Sequence, residues 1–356
     1  MAWRRSKTGP DSLRVAARLR TEIESGRFPT GQFMPCTRDL GKEYKVSPET
    51  VRRAMKTLEA EGLIIAEPRH GFQVLSRPEE RKMTTIAYVL TPDKPGTWEG
   101  FSGQILSVFQ RVAARHGYSL LAIAADGTGS DHVPEHIRET SAVGVILNTP
   151  STDLFEAVER LGLPTITAEV WSPANRFDAI VQDSFGGAMQ AAEHLARLGH
   201  KRIGWIGPTT ESIQAIERWG GAVAGLRTHG LTIPPERVVD GADSRDPGPV
   251  QALLSRPDRP TGLICLWGSM AIGAVRAAAQ LGLRPGRDLD VVGWGTDEHF
   301  ENYAAAFPDG QVPATVTWRV ESLAEATLAR LAERRAKPDL PKVRVNIETR
   351  LRAAVQ

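Results

Sequence analysis

The 356 residues suffice for two or three domains, each with a sizeable core. A hydrophobic fraction of 41% and a charged fraction of 24% are ordinary for a globular chain, and no run of about 18 apolar residues offers a membrane span. The net charge of +2 hides an asymmetry, because residues 1–82 carry 17 Lys and Arg against 11 Asp and Glu, and the remainder 27 against 31. A small basic module ahead of a larger, mildly acidic body suits one polyanionic partner and one that is not.

The basic start MAWRRSKTGPD is followed by no apolar stretch, so no signal peptide is expected. Next comes DSLRVAARLRTEIESG, which places Leu13, Ala16, Leu19 and Ile23 on one helical stripe and ends at Gly26. After the Pro- and Gly-rich RFPTGQFMPC, TRDLGKEY predicts a short helix with Thr37 as N-cap and Leu40 and Tyr44 facing inward. In VSPETVRRAMKTLEAEGLI, Ser47 is a good N-cap and Pro48 suits the first helical position. Val51, Ala54, Met55 and Leu58 share one stripe there, while Glu49, Arg52, Arg53 and Lys56 fall opposite. Two helices at this spacing form a helix-turn-helix, and LIIA and FQVL around EPRHG add a hairpin wing. The charged SRPEERK, residues 76–82, reads as a linker between a head over 1–75 and a body over 83–356.

From residue 83 onward strands and helices alternate: TIAYVL, YSLLAIAA, VGVILN, PTITAEV, AIVQD, RIGWIG, GLICLW and DVVGWG read as strands with helices between most of them. Repeated βα units with continuously apolar strands mean a parallel sheet covered on both faces. Such a length exceeds one sheet of this kind, so two lobes with a cleft between them are expected. The two cysteines, Cys36 and Cys265, lie far apart, which suits a reducing cytoplasm and gives no disulfide framework.

Enzymatic signatures are weak. The chain has no G-x-x-x-x-G-K-[ST] phosphate loop, GWGTDE lacks the third glycine of a dinucleotide fingerprint, and GFSG and WGSMAIG both miss a nucleophile elbow. His194 and His200 do not share a helical face and have no acidic partner to complete a metal set. Binding rather than catalysis is expected, with neither metal nor cofactor.

The segment FPTGQFMPCTRDLGKEYKVSPETVRRAMKTLEAEGLI, with RHGFQV after it, resembles the GntR-type winged helix-turn-helix over residues 10–76. That resemblance implies double-stranded DNA as partner, with Arg38 opening the second helix at a phosphate. It puts Ser47, Thr50 and Arg52 at the start of the recognition helix, and His70 with Gly71 at the wing tip. Pro48 stands where the family has another arginine, and Arg53 is the candidate substitute. These residue types suit contact with a duplex, since arginine reads guanine edges bidentately, hydroxyls bind phosphate oxygens, and glycine lets backbone approach a groove.

From residue 83 to the end the chain resembles the effector domain of LacI/GalR-type repressors, itself similar to periplasmic binding proteins. DSFGGAMQAAEHLARLGHKRIGWIG, ERWGGAVAGLRTHGL and SMAIGAVRAAAQLGLRPGRDLDVVGW carry the likeness. A GntR head on a LacI body is the arrangement of the arabinose-repressor subgroup. The resemblance implies that Arg218, at the start of its helix, clamps ligand hydroxyls or a carboxylate, with Glu169 and Asp183 as acidic partners. Trp267-Gly268 and Gly295 replace polar groups that the family uses, and Ser184 replaces an asparagine. Tryptophan is abundant instead: Trp98, Trp171, Trp219, Trp267 and Trp294 lie past predicted strand ends or beside Arg218, where their faces can stack on a sugar. Trp98, Trp267 and Trp294 join the effector candidates.

The expected protein is α/β: an N-terminal winged helix-turn-helix plus a two-lobed periplasmic-binding-protein-like effector domain. Its expected role is a cytoplasmic, homodimeric repressor on a palindromic operator, controlled by a sugar or sugar derivative. Two other readings stand beside it: an effector-independent regulator or activator with a degenerate cleft, and a DNA-associated enzyme.

Overall fold

A computed structural model describes residues 10–29, 31–60, 63–67, 71–75, 83–93, 100–125, 132–149, 151–240, 246–307 and 311–354. The head begins with α1 (Pro10–Glu24), α2 (Thr37–Tyr44) and α3 (Pro48–Ala60), followed by the antiparallel pair β1 (Ile64–Glu67) and β2 (Gly71–Val74). The expected stripe on α3 forms: Val51, Ala54, Met55 and Leu58 are fully buried and share one core with Ala16, Leu19, Ile23, Leu40, Ile64 and Val74. At roughly 1.5–3 kcal/mol for each large aliphatic side chain removed from water, this core is what holds three short helices together.

Ser47 caps α3, its Oγ accepting the Thr50 amide at 3.1 Å. The cap of α2 differs from the expectation. Thr37 is already helical and Cys36 is the N-cap, its thiol donating to Asp39 Oδ2 at 3.0 Å. The turn between these helices is tight, with Lys45 at φ 55° and the Val46 amide donating to the Gly41 carbonyl at 2.9 Å. A Cβ on Gly41 would lie 3.0 Å from the Val46 carbonyl oxygen, so any side chain there would press on this turn. The loop before α2 runs along the wing, with the Met34 amide donating to Phe72 at 2.7 Å. Residues 76–82, expected to be a linker, lie outside the described set.

Next come β3 (Thr84–Leu90), α4 (Phe101–Arg115), β4 (Tyr118–Ala124) and α5 (His132–Glu139). Tyr88 and Phe109 hold α4 to β3 with ring centroids 5.0 Å apart. Asp93 caps α4 by accepting from the Ser102 amide at 3.0 Å and the Ser102 hydroxyl at 2.8 Å.

The chain continues through β5 (Val145–Asn148), α6 (Thr152–Glu159), β6 (Thr165–Ala168), β7 (Asp178–Gln182), α7 (Ser184–Arg197), β8 (Ile203–Ile206) and α8 (Ile213–Arg227). Then follow β9 (Val238–Val239), α9 (Gly248–Leu254), β10 (Gly262–Cys265), α10 (Gly268–Gln280), β11 (Asp290–Thr296) and α11 (Phe300–Ala304). The last elements are β12 (Ala314–Trp318), α12 (Val320–Ala336), β13 (Arg344–Ile347) and β14 (Thr349–Arg352). Two six-stranded sheets result, ordered β13-β7-β6-β5-β3-β4 and β14-β12-β11-β10-β8-β9. The described pairings β5–β6–β7–β13 and β9–β8–β10–β11–β12 are parallel as expected. The exception is β14, which runs antiparallel to β12, so the second sheet is mixed rather than purely parallel.

The chain passes between the sheets after β7, again through α12, and finally between β13 and β14. α12 packs on β6 and β7. Asp178 ties the C-terminal half of that helix to the start of β7: its fully buried carboxylate accepts from Arg330 at 3.1 Å, from Arg334 at 2.8 Å and from the Val343 amide at 2.8 Å. Burial alone would raise this carboxyl, but these donors hold it below the ordinary aspartate range. Against the second sheet, α7 and α8 lie in backbone contact, because a Cβ on Gly221 would fall 2.1 Å from the Phe185 carbonyl. That contact explains the glycine three residues after Arg218. No helix among the described residues is long and apolar enough to cross a membrane.

Candidate nucleic-acid interface and candidate effector site

The outer face of α3 is cationic and weakly tied. Arg52 is 60% exposed and meets Glu49 at 3.1 Å, while Arg53 meets the same carboxylate at 3.4 Å. Exposed pairs of this kind are worth about 0–1 kcal/mol, so a phosphate can take the arginines over at little cost. Glu49, an acid in the first turn, also offsets the cations placed near the positive end of the helix dipole. Ser47 Oγ and Thr50 Oγ1 are 2.8 Å apart, so both hydroxyls serve the cap. Arg38 is exposed in the first turn of α2, which packs on α3. Gly71 opens β2 at φ 103°, a conformation that only glycine adopts easily. His70 lies outside the described residues.

The second site is built at the carboxyl ends of strands. Glu169 follows β6 directly, and its φ of 66° is unusual for a residue with a side chain. The carboxylate is 8% exposed, with Oε2 accepting from Gln182 Nε2 at 2.9 Å. Gln182 ends β7 and is the hub, since its Oε1 accepts from Arg218 Nη2 at 2.9 Å and from Trp294 Nε1 at 2.7 Å. Arg218 reaches there from α8, with Nη1 donating to the Leu266 carbonyl at 2.6 Å. Its guanidinium carbon lies 3.7 Å from the Trp294 ring centroid and 4.4 Å from that of Trp267. The Glu169 carbonyl accepts from Gln214 at 2.7 Å, which holds the strained residue in place. One amide thus ties the end of a strand in the first sheet to a helix and a strand of the second.

Burial pushes the Glu169 carboxyl up, and the Arg218 charge and the Gln182 bond reverse only part of that. Burial likewise pushes the Arg218 guanidinium down, opposed by the charges of Glu169 and Glu217. Glu169 Oε1 and Arg218 Nε, both deeply buried, have no hydrogen-bond partner among the described residues.

Several expectations need adjusting. Arg218 sits in the second turn of α8 rather than at its start, because Ser212 caps the helix and Ile213 begins it. Asp183 caps α7, accepting the Gly186 amide at 2.9 Å. Trp294 is an internal residue of β11, paired with Val316, and does not lie past a strand end. Trp219 packs edge-on against buried Trp205 with centroids 5.5 Å apart, and the Arg344 guanidinium covers Trp171 at 4.4 Å. Trp98 lies outside the described residues. Gln182 is a site residue that the sequence reading misses, although a polar residue closing the buried strand DAIVQ beside Asp183 is the available signal. Among the described residues no three His, Cys, Asp or Glu side chains are grouped to hold a metal ion.

Comparison with known proteins bears on both parts. Residues 11–74 match the model of bacterial regulatory proteins of the gntR family, and residues 192–353 match the periplasmic binding protein-like domain. The HTH-type transcriptional repressor PurR of Mannheimia succiniciproducens is 25% identical over 260 residues, covering 70% of this chain and 75% of that protein. The HTH-type transcriptional repressor CytR of Escherichia coli K12 is 26% identical over 278 residues, covering 72% and 79%. Among solved structures, the complex of the transcriptional regulator CelR with cellobiose has the same fold, with a TM-score of 0.66 at 19% identity over 87% of this chain and 91% of that one. Along the chain, then, a stretch similar to the bacterial regulatory proteins of the gntR family is followed by one similar to the periplasmic binding protein-like domain, and the fold is that of solved regulators of this architecture.

Proposed function

We propose that this chain is a ligand-controlled transcriptional repressor, acting in the cytoplasm as a homodimer on a palindromic operator and catalysing no reaction. The observation that carries the reading is the Glu169–Gln182–Arg218 cluster, which joins the two sheets through buried polar groups. A ligand reaching this cluster changes the free energy of closure, and only its differential affinity for the open and closed forms can shift DNA binding. The similarity to CelR, solved with cellobiose, supports a sugar or sugar derivative as effector. On the DNA side, α3 enters the major groove with Arg52 and Arg53 foremost and Arg38 on a phosphate, and the wing around Gly71 lies against the backbone.

Selecting bound duplexes from random DNA, with and without a panel of pentoses, hexoses and uronates, tests the proposal. The expected result is one enriched palindrome whose occupancy one of these compounds lowers. Failure to enrich any sequence defeats it. A second reading is favoured by one observation: Gln182 already takes the hydrogen bonds of Arg218 and Trp294, as it would in a regulator that needs no effector. An enriched operator whose occupancy no compound changes, together with no ligand-induced rise in melting temperature, selects that reading.

A further inference from the structure

Resting on the effector-site reading above, we infer that Gln182 sets the charge selectivity of the site, admitting uncharged hydroxyl-bearing ligands and turning away carboxylates and phosphates. An arginine normally captures an anion with its two Nη groups in a bidentate fork. Here each Nη has already given one of its two hydrogens, Nη1 to the Leu266 carbonyl at 2.6 Å and Nη2 to Gln182 Oε1 at 2.9 Å. Trp294 and Trp267 lie against the guanidinium as well, and π faces repel anions as they attract cations. Glu169 adds its own carboxylate to the cluster, oriented by Gln182 Nε2 at 2.9 Å. An incoming anion would meet an arginine already engaged at both Nη atoms, beside a buried acid.

The two atoms of the cluster with no partner at all are one acceptor and one donor. Glu169 Oε1 and Arg218 Nε belong to side chains at 8% and 1% exposure and are unpartnered among the described residues. A hydroxyl group can serve both, donating its hydrogen to the carboxylate and accepting from the guanidinium, whereas a carboxylate or phosphate oxygen serves only the second. Trp267, half-buried, borders the cluster and provides an aromatic face for the apolar side of a ring.

Calorimetric titration of the full chain with matched pairs tests this: glucose with glucuronate, galactose with galacturonate, ribose with ribose 5-phosphate. The wild type is expected to bind at least one neutral member roughly tenfold or more tightly than its charged counterpart. Gln182→Ala frees Nη2, and Glu169→Gln removes the opposing charge, so each is expected to narrow that ratio or reverse it. A probe independent of sugar identity is inorganic phosphate at millimolar concentration against chloride of equal ionic strength. Phosphate is expected to raise the melting temperature of both variants and leave the wild type unmoved. A wild type that prefers the charged members overturns the inference and leaves the effector site standing, as does a ratio that neither variant changes. If neither the wild type nor the variants bind any pair, the effector-site reading falls and takes this inference with it.

Discussion

The head and the body handle charge in opposite ways. On α3, Arg52 and Arg53 share one exposed acid and lie in water, so their partners are exchangeable. In the body, Arg218 is 1% exposed and is fixed by a carbonyl, an amide and two indoles. Exposure makes an ion pair weak and replaceable, whereas burial makes the same charge expensive to disturb and sensitive to every group around it. A module that must release counterions onto a duplex has use for the first kind, and a module that must distinguish one small molecule from another has use for the second.

The contrast breaks most visibly at Arg218. Arg218→Met leaves Glu169 buried without its compensating cation and strands the Leu266 carbonyl, and a loss of about 3–5 kcal/mol is expected in the denaturant midpoint of the body. A loss below about 1 kcal/mol shows that the cluster is far better solvated than its burial implies. The same burial fixes a pH dependence. Because the Glu169 carboxyl is raised above its ordinary 4.5, the folded state holds this proton more tightly than the unfolded chain does. Its stabilising contribution is complete below pH 4.5 and declines as pH climbs toward the raised folded value. Glu169→Gln should remove that decline, read as a melting-temperature difference from the wild type that changes with pH across this window.

In the head, Arg52→Ala should weaken operator binding by about 1–3 kcal/mol and relax discrimination between sequences. Its melting temperature should scarcely move, since only an exposed pair with Glu49 is lost. Unchanged operator affinity in a gel-shift titration removes Arg52 from the recognition face. Ser47→Ala is the smallest effect, about 1 kcal/mol of head stability from the lost cap on the Thr50 amide, measured by thermal unfolding.

Local rules made the head legible. The stripe from Val51 to Leu58 follows from helical period, and Ser47 from capping chemistry, because both depend on residues close in sequence. Even there the resolution of such rules shows: Thr37 and Cys36 compete for one cap a residue apart, and the thiol position holds it. In the body the alternation of strand and helix was readable, but β12, α12, β13 and β14 carry no motif that announces a chain returning between sheets. Gln182 was hidden for a related reason. Its three partners are 13, 36 and 112 residues away in sequence, and only the packed sheets bring them together. The resemblance singled out Arg218 and Glu169, which the fold brings to one glutamine, but their bonds to that glutamine and the indoles over the guanidinium were not readable.

The place of Gln182 has a mechanical consequence. Two bodies joined by a single strand can swivel in any direction, whereas three adjacent covalent passages leave them a jaw-like swing about one line. Gln182 ends β7 just before the first passage and pairs with Ile347 just before the last, and Thr349 beyond it pairs with Trp318 at the passage into α12, so the amide that organises the buried cluster lies at the pivot rather than on the gape.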